Sequence, residues 1–262
     1  MAACVAHAQT ANFDVASVKL SPPPVSGARV VWRGGPGSPE PSRWICQWYP
    51  IDALLVRAFD VRRYEINGPD WLGSLRVDAT ATMPPDTNRG QFAEMLRNLL
   101  KERLAVATHW EEREVAGYRL VVGKNGAKFQ RSASDHSADP PPGPLNRVTL
   151  AKDGFPAMEP SRIGSIVVHN RARAQWPGSA MPDLAVNLAE QIGKPVADAT
   201  GLDGKYDISL HWVTEAGMVE PEPVGPSIFG AVQEQLGLKL EPTKVKLKIL
   251  VIDHIAKSPL EN

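Results

Sequence analysis

Residues 193–212 read GKPVADATGLDGKYDISLHW. At the end of this stretch, Tyr206, Ile208, Leu210 and Trp212 alternate with polar residues. A period of two predicts a β-strand with one apolar face toward a core and one polar face toward solvent. We therefore expect this stretch to form a strand of a sheet that is covered on one face and exposed to solvent on the other.

The segment before this strand is rich in Asp and Gly, which favours a tight connection. Gly201 and Gly204 are expected to supply positive φ there. A calcium loop is the competing interpretation, because such loops take acidic ligands at closely alternating positions. Asp198, Asp203 and Asp207 do not follow that spacing. The pattern therefore predicts a turn and no metal site.

Asp207, Ser209 and His211 share the polar face of the predicted strand, which invites comparison with a Ser–His–Asp triad. Residues two apart on a strand are separated by about 6.6–6.8 Å. A nucleophile and its base must approach to about 2.6–3.2 Å. The spacing therefore favours a solvated polar face, and no catalytic residue is predicted.

Helical periodicity flanks this stretch on both sides. One helix is predicted over 179–195, with Ser179 as its cap and Gly193 as its end. A second helix is predicted over 225–237. Its apolar stripe is expected to consist of Phe229, Val232 and Leu236.

The first half of the chain repeats this order. Its predicted elements are helices over 49–59 and 88–104 and strands over 64–71 and 76–83. Asn88 and Gln91 are expected to form a capping box at the start of the second helix. One face of the strand over 76–83 is expected to carry Val77, Ala79, Ala81 and Met83. Each half ends in two predicted strands, over 104–112 and 117–123 in the first and over 238–242 and 245–253 in the second. Strands over 13–20 and 163–170 precede the two halves.

Matching residues recur between the halves. Phe92 pairs with Phe229 and Leu120 with Leu250, which are offsets of 137 and 130 residues (229−92 and 250−120). We predict an α+β fold of two related modules, each ordered strand–helix–strand–strand–helix–strand–strand. The expected organisation is a remnant of an export signal over 1–8, modules over 9–123 and 148–262, and a Pro- and Ser-rich linker over 124–147.

Composition narrows the function. The 262 residues carry 29 basic and 29 acidic side chains, so nucleic acid is not an expected partner. Apolar runs are too short for a transmembrane helix. Ala6 and Ala8 have the spacing that signal peptidases read, which predicts a bacterial periplasmic or secreted protein. A disordered cytosolic N-terminus and a lipid anchor on Cys4 are the alternatives.

Removal of the signal would leave Cys46 as the one cysteine, so no internal disulfide is expected. Its surroundings, RWICQWYP, favour a buried apolar residue over a catalytic nucleophile. The six histidines show no HExxH or HxH spacing, so neither a metal nor another cofactor is predicted.

The candidate site is aromatic. Trp32, Trp44 and Trp48 lie in one Pro- and Gly-rich region and could form a platform for a sugar or a peptide. The alternative is a lid of tryptophans over the sheet. Small basic clusters at 57–64 and 171–176 are interpreted as solvated faces.

Three stretches carry a family resemblance: FDVASVKLSPP, INGPDWLGSLRVDATATMP, and the second-half sequence from GKPVADATGLDGKYDISLHW to ILVIDH. They resemble an uncharacterised family of exported proteins that is expanded in soil bacteria of the acidobacterial type. That family has no established activity, so the resemblance implies no catalytic residues. The chain lacks the cysteines that common members carry in the central linker.

Each half is also similar in pattern to the short N-terminal domains of secretins and TonB-dependent receptors, which implies a docking role. The expected function is a non-enzymatic binding or docking module, with an envelope protein or a peptide or glycan ligand as partner. The alternatives are an envelope hydrolase with a site assembled between the two halves, and a ligand-sensing domain of a signalling system. The sequence leaves the oligomeric state open.

Overall fold

The computed structural model describes residues 11–23, 29–133, 149–159, 162–214 and 224–260. The chain divides into two compact units. Unit 1 is Met1–Arg113 with Leu247–Asn262, and unit 2 is Glu114–Lys246. Three four-stranded sheets and, in the described part, four α-helices confirm the α+β class.

Unit 1 contains an antiparallel sheet and two helices. Its elements are β1 (Val15–Leu20), β2 (Val31–Gly34), β3 (Arg43–Pro50), α1 (Ile51–Phe59), β4 (Ile66–Asn67), β5 (Arg76–Thr82), α2 (Arg89–Leu104) and the first part of β6 (Ala107–Val122). The sheet order is β1-β5-β3-β2, so β2 lies at an edge.

The core of unit 1 follows the predicted periodicity. Val77, Ala79 and Ala81 of β5 are at most 3% exposed, as their shared phase requires. The capping box of α2 is also confirmed: the Asn88 side chain accepts from the Gln91 N–H at 3.0 Å, and the Gln91 side chain accepts from the Asn88 N–H at 2.9 Å.

Unit 2 contains a second antiparallel sheet. Its elements are the last part of β6, β7 (Gln130–Arg131), β8 (Gly164–Val168), β9 (Arg171–Ser179), α3 (Met181–Ile192), β10 (Val196–Asp198), β11 (Tyr206–Val213), α4 (Ile228–Leu236) and the first part of β12 (Leu238–His254). The sheet order is β7-β11-β9-β8.

Strand β11 is the one predicted from 193–212. Its apolar side chains, Tyr206, Ile208, Leu210 and Trp212, are 0–8% exposed. The preceding turn has φ of +66° at Gly201 and +110° at Gly204, as expected from their role. In that turn the Asp198 carboxylate accepts hydrogen bonds from the N–H and hydroxyl of Thr200, which gives this acidic residue a structural role.

The predicted strand pairs at the ends of the two halves are wrong, because β6 and β12 are each one continuous strand. Gly117, which was predicted to begin the second strand of its pair, lies inside β6. A Cβ there would lie 2.5 Å from the Pro195 carbonyl oxygen, so this glycine permits a close approach. Each strand continues from one unit into the other, and the third sheet has the order β10-β6-β12-β4.

Three further elements differ from their predictions. The strand expected over 64–71 is reduced to β4, flanked by 3-10 turns at Arg63–Glu65 and Asp70–Gly73. The cluster at 171–176 is part of β9, whose alternate residues Ala172, Ala174 and Trp176 are buried. Helix α3 begins after Ala180 rather than with Ser179 as its cap.

Residues 1–8 and 134–147 of the predicted signal and linker lie outside the described residues. The described start of that linker, 124–133, contains β7, which pairs with β11. Residues 247–262, placed in the second module by the sequence, belong to unit 1. There Leu250 pairs with Ile66 of β4, and Leu250, Ile252 and Ile255 join the core.

Candidate functional site

The three predicted tryptophans occupy different environments. Trp44 is fully buried in unit 1, and its ring lies 5.1 Å from the half-buried ring of Trp32. Trp48 has φ of +50° at an irregularity of β3, and the Arg76 guanidinium lies 5.3 Å from its ring. Trp32 and Trp44 therefore meet in one cluster, in which Trp32 is the member closer to solvent.

Trp32 lines an open groove of about 790 Å³ in unit 1. We call it the arginine groove and define it by Trp32 and Phe92, the Gly34–Pro36 loop, Asp60, and the arginines Arg57, Arg89 and Arg97. Its aromatic floor continues into the core, where the Phe92 ring stands edge-on to the Trp32 ring at 6.1 Å. A cavity of this size suits a small ligand or a short segment of a larger one.

Arg57 is held in place from two directions. Its guanidinium lies 4.2 Å from the centroid of the Trp32 ring, a cation–π arrangement. Its Nε also donates a hydrogen bond of 2.9 Å to the Tyr49 hydroxyl. Because the ring fixes the plane and Tyr49 fixes Nε, the guanidinium is oriented before any ligand arrives.

Arg97 is anchored differently. It donates a hydrogen bond of 2.6 Å to the carbonyl of Ala58, in the last turn of α1. A cation at the carbonyl end of a helix is favourable because it complements the helix dipole. The guanidinium has further N–H donors beyond the one that Ala58 uses.

Arg89 is the exposed first residue of α2, and Asp60 is the one acid among the lining residues. Three arginines against one aspartate give the groove an excess of two positive charges. The whole chain is neutral, so this excess is a local feature. The arrangement can bind an anionic group through charge-assisted hydrogen bonds.

The loop beside the groove needs its glycines. Gly34, Gly35 and Gly37 have φ of +77°, +87° and +80°. A Cβ on Gly34 would lie 1.9 Å from the Arg43 carbonyl oxygen, which no side chain could tolerate. The loop therefore turns the chain between β2 and β3 and leaves the groove unobstructed by side chains there.

Sequence reasoning missed the arginines of the groove. It assigned Arg57 to a solvated cluster and did not single out Arg89 or Arg97. A signal was present, because Arg89, Ala93 and Arg97 recur at intervals of four and therefore share one side of α2. What the sequence could not show is that α1 and β2 bring Arg57 and Trp32 to the same side.

The Asp207–Ser209–His211 row lies on the outer face of unit 2. Asp207 and Ser209 are exposed, and the Asp207 carboxylate accepts from the Gly178 N–H at 2.9 Å. The expectation that His211 is solvated is wrong: its ring is half-buried, 4.5 Å from the Phe155 ring. Burial, followed by the charge of Arg173, lowers the pKa of His211.

The other candidate groups have structural surroundings. Cys46 is buried, and burial raises the pKa of its thiol to about 12, which leaves it protonated and unreactive. His109, on the surface of unit 1, lies 2.8 Å from both Asp253 and Glu111. Hydrogen bonds to Asp253 and then to Glu111 raise the pKa of His109. His7 and His136 lie outside the described residues.

Within the described ranges, no group of three or more His, Cys, Asp or Glu side chains is arranged to hold a metal ion. In the same part of the chain, the helices lack the length and apolar character needed to cross a membrane.

Fold and groove together define an α+β protein with an open cationic groove on one of its two units. The chain belongs to the DUF3738 family of proteins of unknown function, whose family model matches residues 52–255. The matched region includes α2, α3 and α4, all of α1 except Ile51, and the three groove arginines. Comparisons with curated proteins and with solved structures gave no significant match.

Proposed function

We propose that this chain is an exported, non-enzymatic binding protein of the cell envelope, and that its ligand binds in the arginine groove through an anionic group. The observation that carries the proposal is the grouping of Arg57, Arg89 and Arg97 around one open groove with a single acid. Isolated surface arginines are common, but three on one aromatic-floored groove concentrate positive potential where a ligand can enter.

Preorganisation supports binding at this place. The Arg57 guanidinium is fixed by Trp32 and Tyr49, and Arg97 by the Ala58 carbonyl. Ordering a free arginine on a ligand costs side-chain entropy, on the order of 1 kcal/mol for each side chain. Much of that cost is already met in the ligand-free fold, so the groove is better suited to binding than a flexible basic surface.

The envelope location rests on the sequence. Ala6 and Ala8 have the spacing of a signal-peptidase site, and the resemblance to exported acidobacterial-type proteins and to docking domains of secretins and TonB-dependent receptors agrees with it. Mass spectrometry of the secreted or periplasmic protein tests export. A mature N-terminus at Gln9 is expected, and an uncleaved cytosolic chain would contradict it.

We also propose that the two halves are a duplication. From one edge to the other, the two antiparallel sheets have the strand orders β1-β5-β3-β2 and β7-β11-β9-β8. Adding six to each strand number of the first order gives the second. In the third sheet β4 pairs with β12, and β10 pairs with β6. These pairings also correspond, because β10 is the counterpart of β4 and β12 is the counterpart of β6. This order supports two related modules.

A capture experiment tests the binding function. The immobilised full chain is exposed to native envelope extract, alongside a triple variant with Arg57→Gln, Arg89→Gln and Arg97→Gln. Arg33→Gln is the matched control, because Arg33 is exposed on β2 and lies outside the groove. We expect salt-sensitive capture by the native chain and by Arg33→Gln, and its loss in the triple variant. Equal capture by all three proteins would refute the groove as the site.

A further inference from the structure

One wall of the arginine groove belongs to an edge strand. Strand β2 pairs with β3 on one side, from Val31 opposite Gln47 to Gly34 opposite Trp44. It is the last strand in its sheet, and no described strand pairs with its other side. Trp32 and Gly34 of this same strand line the groove. An edge strand offers backbone N–H and C=O groups that an added extended chain can satisfy.

The groove is also lined by α2. Arg89, Ala93 and Arg97 lie four residues apart, so the two arginines are separated by about 12 Å along the helix. Their guanidinium groups lie at different places: that of Arg97 donates to the Ala58 carbonyl, whereas that of Arg89 lies beside Gly37. The positive charge is therefore spread along the groove instead of being focused on one point.

We infer that the ligand of the groove is an extended acidic segment of a polypeptide, which adds to β2 as a further strand and directs alternate carboxylates toward the arginines. This inference rests on the proposed function. In a strand, residues i, i+2 and i+4 face the same side and span about 13 Å. That span is close to the separation of Arg89 and Arg97 along α2, and Arg57 lines the same groove.

Two features favour a polypeptide over another polyanion. A strand edge presents alternating donors and acceptors, which a peptide backbone matches and a polyphosphate or acidic glycan does not. The Gly34–Pro36 loop also carries almost no side-chain bulk, so a backbone can approach it closely. Strand β2 has four residues, so backbone bonding is limited and the carboxylate contacts are needed for affinity.

Synthetic peptides test the charge pattern. A fluorescent Glu-Val-Glu-Val-Glu peptide with blocked ends is titrated with the full chain, and anisotropy reports binding. Its matched controls are Gln-Val-Gln-Val-Gln and the block sequence Glu-Glu-Glu-Val-Val. We expect the alternating acidic peptide to bind at least about tenfold more tightly than either control. Equal binding of the neutral peptide would overturn the inference.

Protein variants locate the contact. Arg89→Gln and Arg97→Gln are each expected to weaken binding of the alternating peptide about tenfold, because each removes a charged hydrogen-bond donor. Arg33→Gln removes one positive charge from the edge strand β2, but the Arg33 side chain is on the opposite face of that strand from Trp32, so this variant should leave binding unchanged. Unaltered melting temperatures show that the variants are folded. Equal losses in all three variants would overturn the inference.

Backbone methylation tests strand addition. Two versions of the alternating peptide carry N-methyl groups on alternate amides, in opposite phases. One phase removes the donors that face β2 and should abolish binding, while the other should still bind. Equal binding by both versions overturns strand addition. Arginine-dependent binding of inorganic polyphosphate that exceeds peptide binding would also overturn the inference, but it would leave the proposed anion-binding function intact.

Discussion

Units 1 and 2 each contain a helix that follows the fourth strand of the antiparallel sheet in chain order, and these two helices differ in charge. In unit 1 that helix is α2, which carries Arg89 and Arg97 on the groove. In unit 2 it is α4, IFGAVQEQL, which has no arginine or lysine and whose one charged residue is Glu234. One scaffold thus carries two different electrostatic surfaces.

The apolar faces of the two helices differ less. Met95, Leu96 and Leu99 of α2 are buried, as are Val232 and Leu236 of α4. Phe229 departs from the expected stripe: it is 39% exposed and rests edge-on against Tyr118 at 5.1 Å. Core packing restricts the buried positions, whereas solvent-facing positions can change without unfolding the unit. The difference that matters for binding therefore lies on the outward faces of the helices.

The largest expected effect comes from the tryptophans that close the two cores. Trp44→Ala in unit 1 and Trp212→Ala in unit 2 should each lower the free energy of unfolding by about 3–5 kcal/mol, because both side chains are at most 3% exposed. Urea denaturation measures the change. Trp110→Ala is the control, since Trp110 is 42% exposed and should lose less than about 1 kcal/mol. A near-native urea midpoint for Trp44→Ala would contradict the assignment of Trp44 to the core of unit 1.

The matched leucines test the assignment of the long strands to the units. Leu250 of β12 and Leu120 of β6 are both fully buried, the first in the core of unit 1 and the second in that of unit 2. Each change to alanine should cost about 2–5 kcal/mol. Protection of backbone amides against hydrogen exchange should fall first in unit 1 for Leu250→Ala and first in unit 2 for Leu120→Ala.

Val167→Ala is the control for these leucines, because Val167 is 52% exposed and its truncation should change stability by less than about 0.5 kcal/mol. Loss of protection in the opposite unit would contradict the assignment of residues 247–262 to unit 1.

A smaller effect is expected on the polar face of β11. Asp207→Ala leaves the Gly178 N–H without its carboxylate acceptor and should cost about 1 kcal/mol. Asp207→Asn keeps an acceptor oxygen and should recover most of that loss. Ser209→Ala, at an exposed position on the same face, should stay within about 0.5 kcal/mol of the native chain. A loss of several kcal/mol from Ser209→Ala would mean that the row has a buried role.

The sequence was informative where a short segment contains its own determinants. The capping box of α2, the alternation of β5 and the glycines before β11 are local patterns, and the structure confirms them. It misled where a local pattern has a tertiary cause: the predicted break between strands 104–112 and 117–123 does not exist, and the glycine at 117 permits the close approach of Pro195. Strand β9 was missed because its outward arginines concealed the alternation of Ala172, Ala174 and Trp176.

The candidate site was predictable in part. Of the tryptophans named from the sequence, Trp32 lines the groove, whereas Trp44 is buried in the core beside it. The cation–π contact joins Arg57 to Trp32, residues that lie 25 positions apart (57−32) on different elements. No periodicity within one segment encodes such a meeting, which is set by the packing of α1 on the sheet.

The smallest expected effect concerns His109 and His211, whose pKa values shift in opposite directions. In unit 1, hydrogen bonds to Asp253 and Glu111 raise the pKa of His109, and in unit 2 burial lowers the pKa of His211. Proton titration of the ring signals by NMR should therefore place His109 above and His211 below the ordinary value of about 6.5. Asp253→Asn should lower the pKa of His109 and leave that of His211 unchanged, which provides the internal control.

The linked effects on stability have opposite signs. For His109 the stabilisation is complete below about pH 6.5 and is lost as the pH rises through its higher folded pKa, because the unfolded chain releases its proton first. For His211 the free energy of unfolding falls as the pH drops below about 6.5. The unfolded chain then binds a proton, whereas folded His211 binds one only at lower pH, because its pKa is lowered. The combined contribution of the two histidines should therefore be greatest near pH 6.5. Removing His109 by His109→Gln should abolish its part of the decline above that pH while leaving the decline below it, and an unchanged profile would show that the Asp253–His109–Glu111 contacts do not persist in solution.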